Sequence, residues 1–266
     1  MLDFIVYIAI LGSVLAGLWD LRTTEVPDDI PVLMSSVGVF YWFAYSLSSG
    51  NYFPLAVSVV SGTLLLVFGM ALYYKGQWGG ADALLLASIA YMMPVYRGSL
   101  FIADYVFNLF LAGSAYMMAY SVIIGLMNRH VFGYFIGDVK ENKKFVLGIP
   151  LAFAGFIALA YWQFGLVINN AFYTVALVFS LVLFWRYAVV IEQKVFRKKI
   201  PARELKAGDV LDSMIWRGIT DEEIKEAIRK NKFVVIKEGV RFVPAFPIAL
   251  IVTLLYGNLA YYLIAL

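Results

Sequence analysis

A chain of 266 residues that is 62% hydrophobic, 17% aromatic and only 15% charged has too much apolar surface for one soluble core. Soluble domains are about 45–50% apolar and about 25% charged. This excludes a disordered chain, a nucleic-acid-binding domain and an ordinary cytosolic enzyme, and predicts an all-α polytopic membrane protein. With no cysteine and a single histidine, His130, disulfides, thiol nucleophiles, iron–sulfur clusters and cysteine-ligated zinc are removed, and a histidine metal site is argued against. Any hydrolytic chemistry then rests on carboxylates, hydroxyls or lysines, and no metal or other cofactor is expected.

A helix crossing about 30 Å of hydrocarbon needs roughly 20 mainly apolar residues. Such stretches run over about 2–19, 30–48, 54–74, 82–96, 103–127, 146–164, 167–190 and 245–265, giving about eight spans and at fewest six. The fourth is short enough to begin in a loop at membrane depth. The sixth and seventh meet near Gly165 and are either two helices or one broken element. The first span has no basic leader or small-residue cleavage site and ends at Asp20 and Arg22, which reads as a retained helix.

Charge sets the direction. Of the 21 Lys and Arg residues, 20 fall on one side of these spans and only Arg97 on the other. The basic side is read as cytoplasmic and both termini as outside. Topology thus accounts for the basic residues, and the net charge of +3 carries no further message about partners. The one long polar stretch reads as a small cytoplasmic α+β insert. The expected organisation is a transmembrane helical domain over 1–190, this insert over 191–243 and a C-terminal transmembrane helix over 244–266. In the insert, Thr220-Asp221-Glu222-Glu223 predicts a capping box opening a helix that ends near Asn231, and Phe233–Ile236 predicts a short strand. Asn128–Lys144 reads as a cytoplasmic loop, in which Asp138 and Glu141 are loop charges and His130 is solvent-exposed. Asp3 and Asp104 read as span ends on the outer side.

An ionisable residue in a spanning segment is costly and marks a functional candidate. Asp20 closes the first span in Leu18-Trp19-Asp20-Leu21-Arg22, and Asp82 opens the fourth in Gly79-Gly80-Ala81-Asp82. Two complete crossings separate them, so parity returns the chain to one side and both carboxylates share one depth. If they meet, two carboxylates about 3 Å apart hold one proton between them and titrate as a unit. The ionised partner then takes a proton from water while the protonated one donates to a scissile carbonyl. Gly79 and Gly80, without Cβ atoms, leave room for an extended substrate backbone.

These residues carry a resemblance. Asp20-Leu21-Arg22 followed by Val26-Pro27-Asp28 resembles the first motif of the type IV prepilin peptidases, and Gly79-Gly80-Ala81-Asp82 resembles their second, Gly-x-Gly-Asp. The whole resembles the archaeal branch, the preflagellin (archaellin) and prepilin peptidases, which are membrane aspartic proteases. Ala81 replaces the third-place glycine, and Leu84 stands where many relatives carry lysine. Ala202–Asp212 and Val243-Pro244-Ala245-Phe246 also look like the C-terminal region of archaeal members. The resemblance implies an aspartic endopeptidase with Asp20 and Asp82 as its acid–base pair. It would remove the short basic signal peptide of pilin or archaellin precursors at the cytoplasmic membrane face. Bacterial relatives also N-methylate the new terminus and often carry a tetracysteine zinc loop. That loop is impossible here, and methylation is unsupported.

Arg22 anchors the helix end or tunes Asp20. Glu25, Asp28 and Asp29 around Pro27 either attract a basic leader or are simply solvated. Trp19 and Trp78 are read as interfacial aromatics. Gly12, Ala16, Gly62 and Gly69 suit close helix packing. Pro244-Ala245-Phe246 is faintly like the Pro-Ala-Leu element of presenilin-type proteases, a near-match of little weight. The expected partners are the signal-peptide-bearing precursors and membrane lipid, with no nucleic acid. Three other readings stay open. The aspartates could be the relay of a proton- or cation-coupled transporter. The chain could be a membrane scaffold docking through residues 191–243, or an intramembrane protease cutting signal-peptide remnants.

Overall fold

A computed structural model of the chain describes residues 2–165, 171–212, 218–237 and 239–264. The side chain of Asp3 lies outside what is described. Two compact units divide the chain, residues 1–118 with 199–266 and residues 119–198.

The first unit opens with three long apolar helices, α1 (Leu2–Thr23), α2 (Asp29–Ser49) and α3 (Phe53–Tyr74). Gly50 ends α2 at φ 70°, returning its N–H to the Ser46 carbonyl at 2.9 Å, and Pro54 in the first turn of α3 gives up an N–H that no helix start uses. Next comes α4 (Gly80–Met92), whose 13 residues reach about 20 Å. It is buried along nearly its whole length against α1, α2 and α3. Small residues bring the backbones together. A Cβ on Gly38 of α2 would lie 2.8 Å from the Tyr91 carbonyl and Met92 nitrogen, and one on Gly69 of α3 would lie 2.8 Å from Ala83 Cα.

A helix that stops inside apolar surroundings leaves its last carbonyls without partners. The neighbours supply them. Trp42 Nε1 donates to the Met92 carbonyl at 3.0 Å and Ser58 Oγ to the Tyr91 carbonyl at 2.6 Å. The chain then turns through a hairpin, β1 (Val95–Tyr96) and β2 (Ser99–Leu100), with Arg97 and Gly98 at φ 50° and 82°. It enters α5 (Phe101–Met127).

The expected eighth span is shorter than predicted, and so is the fourth. Six described helices are long and apolar enough to cross a membrane, while Gly80–Met92 and Ala245–Tyr256 are shorter apolar helices. This agrees with a polytopic all-α membrane protein of six to eight spans. The last stretch forms α10 (Ala245–Tyr256) and, after Gly257, α11 (Ala260–Ile264). Fully buried Asn108 of α5 serves the break. Its Nδ2 donates to Thr253 Oγ1 at 3.0 Å and to the Gly257 carbonyl at 2.7 Å, and its Oδ1 accepts from Leu259 N–H at 3.0 Å. Asn258 donates to Asp104 at 2.9 Å, so Asp104 fastens this turn as well as marking the start of α5.

The polar insert has the predicted α+β character. It contains β3 (Arg197–Pro201), β4 (Val210–Leu211), α9 (Asp221–Lys230) and β5 (Phe233–Lys237), with the sheet ordered β3-β5-β4. The strands β4 and β5 are antiparallel, with Val210 opposite Lys237 and Leu211 opposite Ile236. The capping box forms as read, Glu223 N–H donating to Thr220 Oγ1 at 3.4 Å and Thr220 N–H to the Glu223 carboxylate at 2.9 Å. Leu205, Ile219 and Ala227 make its small core.

The second unit differs from expectation between Asn128 and Lys144. Those residues are not a loop but largely a helix, α6 (His130–Glu141), followed by α7 (Lys143–Phe164) and α8 (Ala171–Ile191). His130 is exposed as read. Asp138 is not a free loop charge. Its carboxylate takes both arms of Arg186 on α8, with Nε at 2.7 Å. Such a fork joins two helices because the planar guanidinium matches both carboxylate oxygens. Gly165, at φ 63°, ends α7, so the sixth and seventh stretches are two helices. The residues between them, 166–170, lie outside those described.

Candidate active site

Asp20 sits in the last turn of α1. After it, Thr24 N–H returns to the Asp20 carbonyl at 2.9 Å, and Thr24 takes φ 62°. The chain therefore doubles back, buries Val26 in the core and starts α2 just beyond Pro27. The Asp20 side chain is only 4% exposed, and its Oδ2 accepts a hydrogen bond from Val243 N–H at 3.2 Å. That donor lies 223 residues away in sequence, in the short segment that leads into α10. Gly17, one turn earlier, permits this approach, since a Cβ there would stand 3.3 Å from Pro244 Cα.

Asp82 is in the first turn of α4 and is 9% exposed. Its Oδ2 accepts from Gly79 N–H at 3.0 Å, reaching back over the helix start as the acidic half of a capping box does. Gly79 has no side chain to reciprocate. Its backbone, at φ −74° and ψ 156°, suits any residue, so glycine is wanted here for space. A Cβ would lie 3.2 Å from the carboxylate oxygen. At Gly80 a Cβ would meet only the Tyr73 ring, at 3.7 Å. The other oxygen of Asp82, Oδ1, is buried with no hydrogen-bond partner among the described residues.

Ala81 packs half-buried against the core, whereas Arg22, Glu25, Asp28 and Asp29 are exposed and Pro27 is half-buried. Glu25 stands beside the turn of the polar insert, its Oε1 3.5 Å from the Cβ position of Gly208. Trp19 is exposed, as expected of an interfacial ring. Trp78 departs from that reading. Its ring lies 6.4 Å from Phe68, 6.2 Å from Phe242 and 6.3 Å from Phe246, and Phe242 lies 5.7 Å from Phe246. The cluster joins the loop before Asp82 to the segment that touches Asp20. Among the described residues, no three or more carboxylate or imidazole groups gather where they could hold a metal ion.

Sequence reasoning notes the Val243-Pro244-Ala245-Phe246 stretch but neither places it at the site nor singles out Arg241. Arg241, Phe242 and Val243 converge on the site, and Ala245 and Phe246 are fully buried behind it. The available signal is a charged residue just upstream of Val243-Pro244-Ala245-Phe246, a stretch whose motif likeness is weak on its own.

Residues 7–127 match the model of the type IV leader peptidase family. Over this stretch the chain is similar to the type IV leader peptidases. Both Asp20 and Asp82 fall inside it, which bears out the resemblance read from their motifs. A preflagellin peptidase of Methanococcus voltae is 26% identical over 89 residues. That similarity covers 34% of this chain and 38% of the relative's length. No solved structure matches the chain. The segment from Arg241 to Phe246 lies beyond the family match.

Proposed function

We propose that this protein is a membrane-embedded aspartic endopeptidase that removes the short basic leader of type IV prepilin-like or preflagellin precursors, with Asp20 and Asp82 as its acid–base pair. One observation carries the reading. The two motif acids of the family-matched stretch are both buried, and the ring cluster of Trp78, Phe242 and Phe246 ties the loop before Asp82 to the segment whose Val243 N–H reaches Asp20. Buried acids are costly as structural elements and suit proton transfer.

The chemistry needs one proton shared by the pair. The anionic carboxylate takes a proton from water as the water oxygen attacks the scissile carbonyl carbon. The protonated carboxyl gives its proton to the carbonyl oxygen, forming a neutral gem-diol. The C–N bond then breaks as the first carboxyl passes its proton to the leaving nitrogen. The second recovers its own as the carbonyl reforms, so the pair ends as it began. All four proton transfers run through these two carboxyl groups. Gly79 and Gly80 leave space for the extended substrate backbone, Ala81 occupies the position of the third glycine, and Pro27 supports the first motif just ahead of α2. The 20-to-1 partition of basic residues favours a cytoplasmic-facing site.

The deciding experiment incubates the purified protein with a tagged type IV prepilin and reads the new N-terminus by mass spectrometry. A single cut between the basic leader and the hydrophobic helix is expected, and an intact precursor overturns the proposal. Glu25, Asp28 and Asp29 extend it. Exposed carboxylates beside the site attract the Lys and Arg residues of a leader over roughly a Debye length. Neutralising all three as Glu25→Gln, Asp28→Asn and Asp29→Asn lowers kcat/KM for a basic leader by about tenfold at low ionic strength, and the deficit disappears in high salt. Unchanged cleavage at low salt would show them to be merely solvated.

A further inference from the structure

The two carboxylates stand in unlike surroundings, and Arg241 is the chief difference. Asp82 receives one hydrogen bond, from the backbone of its own helix start, and its other oxygen is buried without a partner among the described residues. Asp20 receives a backbone hydrogen bond from Val243 at 3.2 Å, which brings the segment carrying Arg241, two residues earlier, up to this carboxylate. The Arg241 backbone is itself tied down, its carbonyl accepting from Tyr116 Oη of α5 at 2.8 Å. The side chain is not spent on that anchor. Its Nε is buried and has no hydrogen-bond partner among the described residues. Arg241 as a whole is half-buried, and a guanidinium whose Nε is withdrawn from water is favoured by a nearby anion.

We propose that Arg241 is a positioning residue that keeps Asp20 the anionic member of the pair, so that Asp20 activates the water and Asp82 carries the proton to the carbonyl. This rests on the aspartic peptidase reading and adds a direction to it. A symmetric pair could run either way, with half of its singly protonated population in the unproductive arrangement for a given substrate pose. A fixed cation on one side removes that degeneracy. Val243 N–H acts in the same sense, because a donor on Asp20 Oδ2 favours the charged form. Among the described residues, the groups facing Asp20 are the Val243 N–H and the Arg241 guanidinium from the segment before α10 and the Asp82 carboxyl from α4. Arg22, on its own helix, is turned to the exposed surface.

The test compares pH profiles of kcat/KM for the full-length parent, Arg241→Gln and Arg241→Lys, with Asp20→Asn as a control. Removing the cation makes the base easier to protonate, so the acid limb of the Arg241→Gln profile moves up by about one pH unit. At pH values on that limb the rate falls about tenfold. Arg241→Lys, which retains the charge, returns the limb to within a few tenths of a unit of the parent. The position of the limb does not depend on how much enzyme is active, so partial misfolding of either variant leaves the comparison intact. If Arg241→Gln lowers activity without moving the limb, or if Arg241→Lys shifts it as far as Gln does, Arg241 acts only through packing and the proposal is overturned. Parent-like cleavage by Asp20→Asn would sink the peptidase reading itself, and this assignment with it. A silent Asp20→Asn and an unmoved limb in Arg241→Gln are thus separate failures.

Discussion

Asp82→Asn and Asp20→Asn each lower cleavage of a type IV prepilin-like precursor by roughly 10²–10⁴-fold, the range contributed by a positioned acid or base, while both variants stay folded. The amide is close in shape to the carboxylate and keeps one acceptor oxygen. In Asp20→Asn that oxygen can still accept from Val243 N–H, and in Asp82→Asn from Gly79 N–H, so the contacts that set each side chain survive. An amide cannot exchange a proton near neutral pH, and the shared-proton step is lost with either substitution. Because both groups serve one cycle, the double variant is barely worse than either single one, as for other residues that act as a unit. Precursor binding supplies the control. Each variant should still retain tagged, uncut precursor in detergent, which a collapsed site would not. Cleavage by either variant within a few-fold of the parent would show that the corresponding carboxylate does no proton transfer.

Much of this was legible in the sequence because its signals are local. Hydropathy over about 20 residues found the long helices, and the Thr220–Glu223 capping box and the Phe233 strand were readable from adjacent positions. The motif acids were legible because charge is scarce in apolar surroundings. What failed was non-local or hidden by averaging. The fourth stretch runs on through Pro94 and Val95 in hydropathy, yet α4 ends at Met92, where Trp42 and Ser58 from other helices take up its carbonyls. The last stretch is interrupted at Gly257, at φ 68°, and Asn108 of α5 makes that break tolerable. In α6, Val131 and Phe135 pack inward one turn apart, but a 12-residue helix is too short for a hydropathy window of about 20 residues to register. Asp138 and Arg186 are 48 residues apart. Asp20 and Val243 are separated by most of the chain, and no spacing rule connects them. The site was therefore half readable, its two acids from motifs, while the motif likeness of Val243–Phe246 gave no place for that segment until packing supplied one.

Gly69→Ala tests whether the acid pair depends on how closely α4 is held. The glycine faces Ala83, the residue after Asp82, and an added Cβ would fall 2.8 Å from both Ala83 Cα and Ala83 Cβ. A long side chain could swing aside, but a backbone carbon cannot, so α4 or α3 has to shift by several tenths of an ångström. Overpacking of this kind costs about 1–3 kcal/mol. A displacement near 1 Å in a catalytic group costs on the order of 10²-fold in rate. The expected variant is therefore folded, has a lower thermal midpoint, and has a kcat depressed at least about tenfold. Gly133→Ala and Gly148→Ala are the matched controls. A Cβ at either site meets nothing within 4 Å, and helix propensity alone predicts a gain of up to about 1 kcal/mol for each. Adding Ala83→Gly to Gly69→Ala relieves the clash with the Ala83 side chain but not the one with its backbone carbon, so recovery should be partial. Full recovery would mean that the side chain of Ala83, not the backbone of α4, sets the distance. Parent-like kcat in Gly69→Ala would mean that the site tolerates movement of α4, and the close packing around this helix would then serve stability alone.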